Sequence, residues 1–170
     1  MMEFFELVEK RRSVRRYKKR KVEEWKVEKI LEAMNRAPSA GNLQAYKVFV
    51  IQDEKVKKEI CKASHDQKFI KEAPIVLVFC ANPTESSTYY GERGKNLYSI
   101  QDATIAATFA MLAAHDLGLA TCWVGAFNEL KIKRILNTNL KPVAVLPIGY
   151  PDENPEKRRR KKIKEIAKFI

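Results

Sequence analysis

Arg11, Ser13 and Arg15 alternate within KRRSVRRYKKRK (Lys10 to Lys21), where nine of twelve residues are Lys or Arg and none is acidic. In an extended chain, side chains two apart project to the same side. These three therefore make one face, and Arg12, Val14 and Arg16 make the other. Two guanidiniums flanking a hydroxyl form a cup for a terminal phosphate, because each guanidinium presents paired donors in a fixed fork. Near the other end Arg158 and Arg160 repeat the two-residue spacing, and they would converge in the same way in an extended segment. Lys18 to Lys21 reads as solvated surface.

The distribution of charge bears on what such a cup could hold. Of the net charge of +12, Lys10 to Lys21 carries nine positive charges and Glu156 to Lys168 nets six, leaving the remaining chain acidic by three. A nucleic-acid coat spreads its positive charge over a broad face and interleaves aromatic rings for base stacking, whereas only Tyr17 interrupts the first cluster with a ring. A small anion site fits better, with a basic nucleic-acid-binding protein as the alternative.

Other chemistries lack their residues. The glycines at 41, 91, 94, 118, 125 and 149 give neither G-x-G-x-x-G nor a P-loop, which argues against a Rossmann dinucleotide site or an NTPase. There is no C-x-x-C and no H-E-x-x-H, and His65 and His115 are the only histidines, so no metal site is expected. No G-x-S-x-G elbow occurs either. An enzyme built on this chain would leave the chemistry to a cofactor. Cys61, Cys80 and Cys122 are widely spaced in apolar settings and read as reduced core thiols, which suits the cytoplasm. The start of the chain has no apolar signal-peptide core. The uncharged run Ala103 to Ala114 has twelve residues, short of the roughly 20 that span a bilayer, so no membrane association is expected.

The elements that must position these groups follow from periodicity. Phe4, Leu7 and Val8 mark a short amphipathic helix. A second runs from about Glu23 to Arg36, with Val27, Ile30, Leu31 and Met34 on one face, and Pro38 ends it. Ala37 to Gln44 (APSAGNLQ) is a loop, Ala45 to Gln52 a strand, and Asp53 caps a charged helix reaching Ala63. Ile75 to Ala81 (IVLVFCA) is apolar throughout, as a central strand should be. Thr84 to Lys95 reads as a mobile loop from its polar and glycine content. Leu97 to Leu117 is a helix apolar on nearly all sides, with Gly118 at its C-terminal end. Such a helix must be covered all round, and its alanines permit close approach of a second subunit; a dimer is inferred. Gly118 to Phe127 extends toward a turn at Gly125, a basic helix spans about Glu129 to Leu136, and the last strand is PVAVLPIGY (Pro142 to Tyr150). One α+β domain over residues 1–170 is expected.

Four blocks in register carry a resemblance over almost the whole chain: RRSVRRY with APSAGNLQAYKVFV, then YSIQDATIAATFAMLAAHDLGLATCWVGAF, LPIGYPDENP and the closing RRRKK. Together they resemble the FMN-dependent nitroreductase family. The resemblance implies an α+β fold on a mixed, mostly antiparallel sheet flanked by helices, and an intertwined homodimer with two FMN molecules at the interface. It also implies NADH or NADPH as reductant and a small-molecule acceptor such as a nitroaromatic, a quinone or a flavin, with reductant and acceptor alternating in a ping-pong cycle. No catalytic side chain is then required, since FMN carries the chemistry.

Position by position, the family pattern puts Arg11, Ser13 and Arg15 at FMN, with Arg12 beside them through its main chain. Arg158 and Arg160 complete the phosphate site. Pro38, Ser39, Ala40 and Asn42 form the loop that reaches the isoalloxazine of the other subunit. Trp123, Val124 and Gly125 pack on the opposite ring face, and Gln67 or Lys68 meets the pyrimidine edge. Ala45-Tyr46 stands where many members of the family have Pro-Trp. Gln101 and Asp102 read equally as capping or functional residues, and a flavin carrier without turnover is a further alternative.

Overall fold

IVLVFCA forms strand β2 (Ile75–Ala81), buried at every position, because it has neighbours on both edges and helices on both faces. Its outer partners are β1 (Tyr46–Ile51) and β4 (Lys141–Gly149), and β4 in turn pairs with the two-residue β3 (Ala120–Thr121), giving the order β1-β2-β4-β3. All three ladders are antiparallel. The parallel pairing that the mixed sheet requires is a single bridge, Ser13 with Thr121. The structure, a computed structural model, describes residues 2–170.

Alternation along β2 divides the core. Ile75, Leu77 and Phe79 face one side with Ile30 and Met34 of α2 (Glu24–Met34) and Ala106, Ala107 and Ala110 of α6 (Ser99–Asp116). Val76, Val78 and Cys80 face the other with Ile60 of α3 (Glu54–Ala63), Ile70 of α4 (Phe69–Glu72) and Ile132 of α7 (Glu129–Ile135). Asp53 accepts from the Lys55 and Val56 amides at 2.9 Å and starts α3 as the sequence predicts. Lys57, 2% exposed, survives in this core because its ammonium donates to Ala73 O at 2.8 Å and pairs with Glu54.

Three expectations need correction. Thr84 to Lys95 is no loop: it lies in α5 (Pro83–Arg93) and a π-turn (Gly94–Tyr98) that runs directly into α6. Asn82 caps α5 through the Glu85 amide and Pro83 opens it, while Gly91 (φ 53°) supplies a kink near its end. Gly94 lets the turn close on α5, since a Cβ there would lie 2.4 Å from Ser86 O. In α1 (Phe4–Lys10) only Leu7 is buried; Phe4 and Val8 face outward. After β3, the segment to Phe127 contributes one more bridge, Val124 with Val145, rather than a continuous strand.

By length and composition alone, the helical run Pro83–Asp116 could cross a membrane. Its apolar content has another explanation in α6, whose alanines pack on α2, β2 and β4. Even so, only 39% of the apolar window is buried within the chain.

Candidate functional site

The basic segment takes the extended form that makes alternation meaningful. After α1, the Val14 amide donates to Thr121 O at 3.0 Å and lays residues 12–14 parallel to β3. Val14 (4% exposed) and Tyr17 (7%) are drawn into a small core cluster with Ala73 and Ala120. That fixes the opposite face. Arg11, Ser13 and Arg15 line a cleft of about 390 Å³, and Arg158 and Arg160 enter it from the tail. The tail thus delivers two of its three arginines to the first cluster, which sits more than 140 positions away in the chain. Arg12 lines the cleft too, with its guanidinium turned back onto Glu9 O (2.6 Å) and Arg11 O (3.0 Å). Glu9 and Glu156 also border the cleft; Glu9 forms an ion pair with Lys157 that ties α1 to the tail.

The electrostatics are unbalanced. Arg11 Nη1 is buried and has no hydrogen-bond partner among the described residues. Burial, then the charges of Arg160 and Arg12, push the Arg11 pKa below its usual value, the response of a cation held near like charges. A buried guanidinium nitrogen without an acceptor is costly. An oxyanion would satisfy it and neutralise the cluster, and the donor set of guanidiniums and one hydroxyl is that of a phosphate site. On this observation the residues fit an FMN phosphate. The Arg15 amide is already occupied by Glu153 Oε1 at 2.6 Å, and its guanidinium lies 5.9 Å from the Phe69 ring centroid.

Beyond this cleft, the Ser64–Gln67 turn and the segment after β3 meet. Gln67 Nε2 donates to Ser64 O (2.9 Å) and Ala126 O (3.4 Å), which places Gln67 beside Gly125. His65 and Asp66, both at φ near 55°, turn the chain to make this possible. Lys68 is exposed. Val124 is buried in the sheet, Trp123 is half-buried against the core, and Gly125 is exposed. The Cys122 thiol is buried and pushed up by desolvation, as an inert core cysteine would be.

The loop Pro38, Ser39, Ala40 and Asn42 stands apart from the arginines. Pro38, Ser39 and Ala40 line a separate cleft of about 470 Å³ with Tyr98, Gln101, Asp102 and Ile105, and no residue is common to the two clefts. The loop is a tight structure, with Gly41, Asn42 and Gln44 at φ 56°, 57° and 53°. Tyr90 presses on it from α5: a Cβ at Gly41 would lie 2.4 Å from Tyr90 Oη. We expect Gly41→Ala to lower Tm by roughly 5 °C through backbone strain and displacement of Tyr90. Adding Tyr90→Phe should recover the steric part and leave the rest, which thermal denaturation of the two variants will show.

Sequence reasoning left three participants unassigned. Glu153 and the Glu9–Lys157 pair join segments too remote in the chain for any local pattern to couple them. Asp102 had a signal, a carboxylate opening an apolar helix, but read alone that signal fits a cap and a functional residue equally.

A family model described as the Nitroreductase family matches residues 8–68 and 62–150. The chain belongs to the nitroreductase family. Among relatives, a Methanothermobacter thermautotrophicus protein provisionally named an NADH dehydrogenase/NAD(P)H nitroreductase is 31% identical over 92% of this chain and 82% of its own length. An FMN reductase [NAD(P)H] of Bacillus subtilis is 32% identical over 88% of this chain, which spans 66% of that longer protein. Among solved structures, a nitroreductase family protein from Clostridium novyi superposes with a TM-score of 0.82 at 34% identity, covering 92% of this chain and 89% of that one. The nitroreductase assignment and the α+β expectation therefore agree with the sheet and helices described above.

Proposed function

We propose that this nitroreductase family member is a cytoplasmic, homodimeric flavoprotein oxidoreductase that passes electrons from NADH or NADPH through FMN to a small acceptor. The observation that carries the reading is the cleft that Arg11, Ser13 and Arg15 line together with Arg158 and Arg160 from the far end of the chain, with Arg11 Nη1 left buried and unpartnered. Arg11, Ser13, Arg15, Arg158 and Arg160 would hold the phosphate. Trp123, Val124 and Gly125 would flank one face of the ring, where the exposed Gly125 amide allows close backbone approach, and Gln67, fixed beside it, would meet a polar edge. Lys68 would add charge at the same edge from its exposed position. When bound, FMN supplies a site that accepts a hydride and returns it. The side chains bind, orient and shield, so no general base is assigned.

Pro38, Ser39 and Ala40 line a cleft separate from that of the arginines in their own chain. In a homodimer the loop from Pro38 to Asn42 would complete the site of the partner subunit. The incomplete cover of α6 supports such an association. The three free cysteines, all buried, suit a reducing compartment. Reductant and acceptor would take the same open ring face in turn, giving ping-pong kinetics; the names of relatives make nitro compounds and flavins the first acceptors to try, with quinones beside them as the resemblance implies.

The test is the visible spectrum of the protein reconstituted with FMN, followed by anaerobic NADH and then NADPH. Flavin bands that bleach, with parallel lines in double-reciprocal plots for an added quinone, are expected. Protein that takes up no FMN overturns the reading. Bound flavin that neither nucleotide bleaches would make the chain a flavin carrier.

A further inference from the structure

We propose that Asp102 is a positioning residue whose buried carboxylate clamps the Pro38–Asn42 loop from below; the consequence for flavin rests on the function proposed above. Asp102 is 2% exposed, and its Oδ1 accepts from the Ala40 amide at 3.0 Å, across 62 positions of chain. Burying a carboxyl group this deeply is unfavourable unless it serves an interaction. Burial raises its pKa while the amides of Ala40 and Ala45 lower it.

Capping its own helix is not that interaction. The helical run continues from Pro83 through the π-turn Gly94–Tyr98 into α6, and the residue before α6, Tyr98, is itself in the right-handed helical region. Asp102 therefore sits inside a helix whose amides are already used. Its carboxylate is free to cap something else, and what it caps is the Ala40 amide of the loop.

The loop needs such a restraint. Gly41, Asn42 and Gln44 all adopt positive φ, an arrangement that persists only where surroundings over-determine it. One restraint is internal: Ser39 Oγ accepts from the Gln44 amide at 3.0 Å. Besides the packing of Tyr90, Asp102 is an external one, a side-chain hydrogen bond that joins the loop to the core helix. Its other oxygen, Oδ2, is buried without a partner among the described residues, and Asp102 lines the cleft that Pro38, Ser39 and Ala40 wall. Neither the phosphate cleft nor the ring shelf contains Asp102, so its influence on the site must pass through the loop.

The experiment compares Asp102→Ala and Asp102→Asn by two readouts. The first is limited trypsin cleavage after exposed Arg36, at the foot of the loop, in the flavin-free protein. The second is FMN affinity from quenching of flavin fluorescence. Alanine removes the acceptor, and cleavage should accelerate about tenfold or more with FMN Kd raised about tenfold, the scale of one hydrogen bond that orders a loop. Asparagine keeps an acceptor at the same place and should restore both toward the parent values. A lower Tm with unchanged cleavage and unchanged Kd would make Asp102 a core residue only and overturn the clamp, as would identical behaviour of the two variants. If the parent protein binds no FMN, the flavin reading fails while the cleavage ratio still decides the clamp.

Discussion

We expect Arg11→Ala to bind FMN about 10- to 150-fold more weakly than the parent protein, the range that corresponds to one charge-assisted hydrogen bond to an oxyanion. Arg11 is singled out among the arginines because its Nη1 is the buried nitrogen without a partner, so it has the most to gain from an anion. The same fact fixes the sign of the effect on the flavin-free protein. Burial and the nearby charges of Arg160 and Arg12 disfavour the Arg11 cation, so its removal should leave the Tm of the apoprotein unchanged or slightly raised. A lost structural arginine would lower it. Riboflavin, which lacks the phosphate, should bind both proteins alike. Arg11→Lys should fall between them, since an ammonium keeps the charge and loses the fork. Titration of each variant with FMN and riboflavin checks all of this. Equal FMN affinity for Arg11→Ala and parent would remove the phosphate from this cleft.

Much of the frame was legible because the relevant physics is local. IVLVFCA can be little else than a buried strand, Asp53 before a charged amphipathic run caps a helix, and a two-residue spacing in an extended segment places Arg11, Ser13 and Arg15 together. What could not be read depended on remote partners. Val14 fixes the basic segment only because Thr121 O is there to accept its amide. Thr84 to Lys95 has the composition of a loop, and it becomes a helix because Asn82 caps it, Gly91 bends it and Gly94 lets it pack on Ser86. The outward turn of Phe4 and Val8 shows that periodicity reports an apolar stripe without reporting what covers it. Asp102 is the clearest case. Its residue type fits a cap and a functional group equally, and only the continuity of the helix before it and its bond to the Ala40 amide show that it caps another segment.

The uncovered face of α6 carries the other large expected effect. Gln101, Ile105, Thr108 and Leu112 share one helical stripe, and within one chain none of them is fully buried. Leu112 lies outside the two large core clusters, so a change there spares the chain's own core. Leu112→Asp would put a carboxylate into the proposed contact between subunits, at a cost of several kcal/mol if the site is desolvated. Interfaces of ordinary size do not tolerate such a loss at micromolar concentration. Sedimentation should show a dimer for the parent protein and a monomer for the variant, with circular dichroism unchanged. Because the arginine cleft and the Pro38–Asn42 loop belong to separate clefts of one chain, the monomer should also lose most of its FMN even though every arginine is intact. Full flavin occupancy in a monomeric variant would show that one chain builds the site alone, and would place the loop outside it.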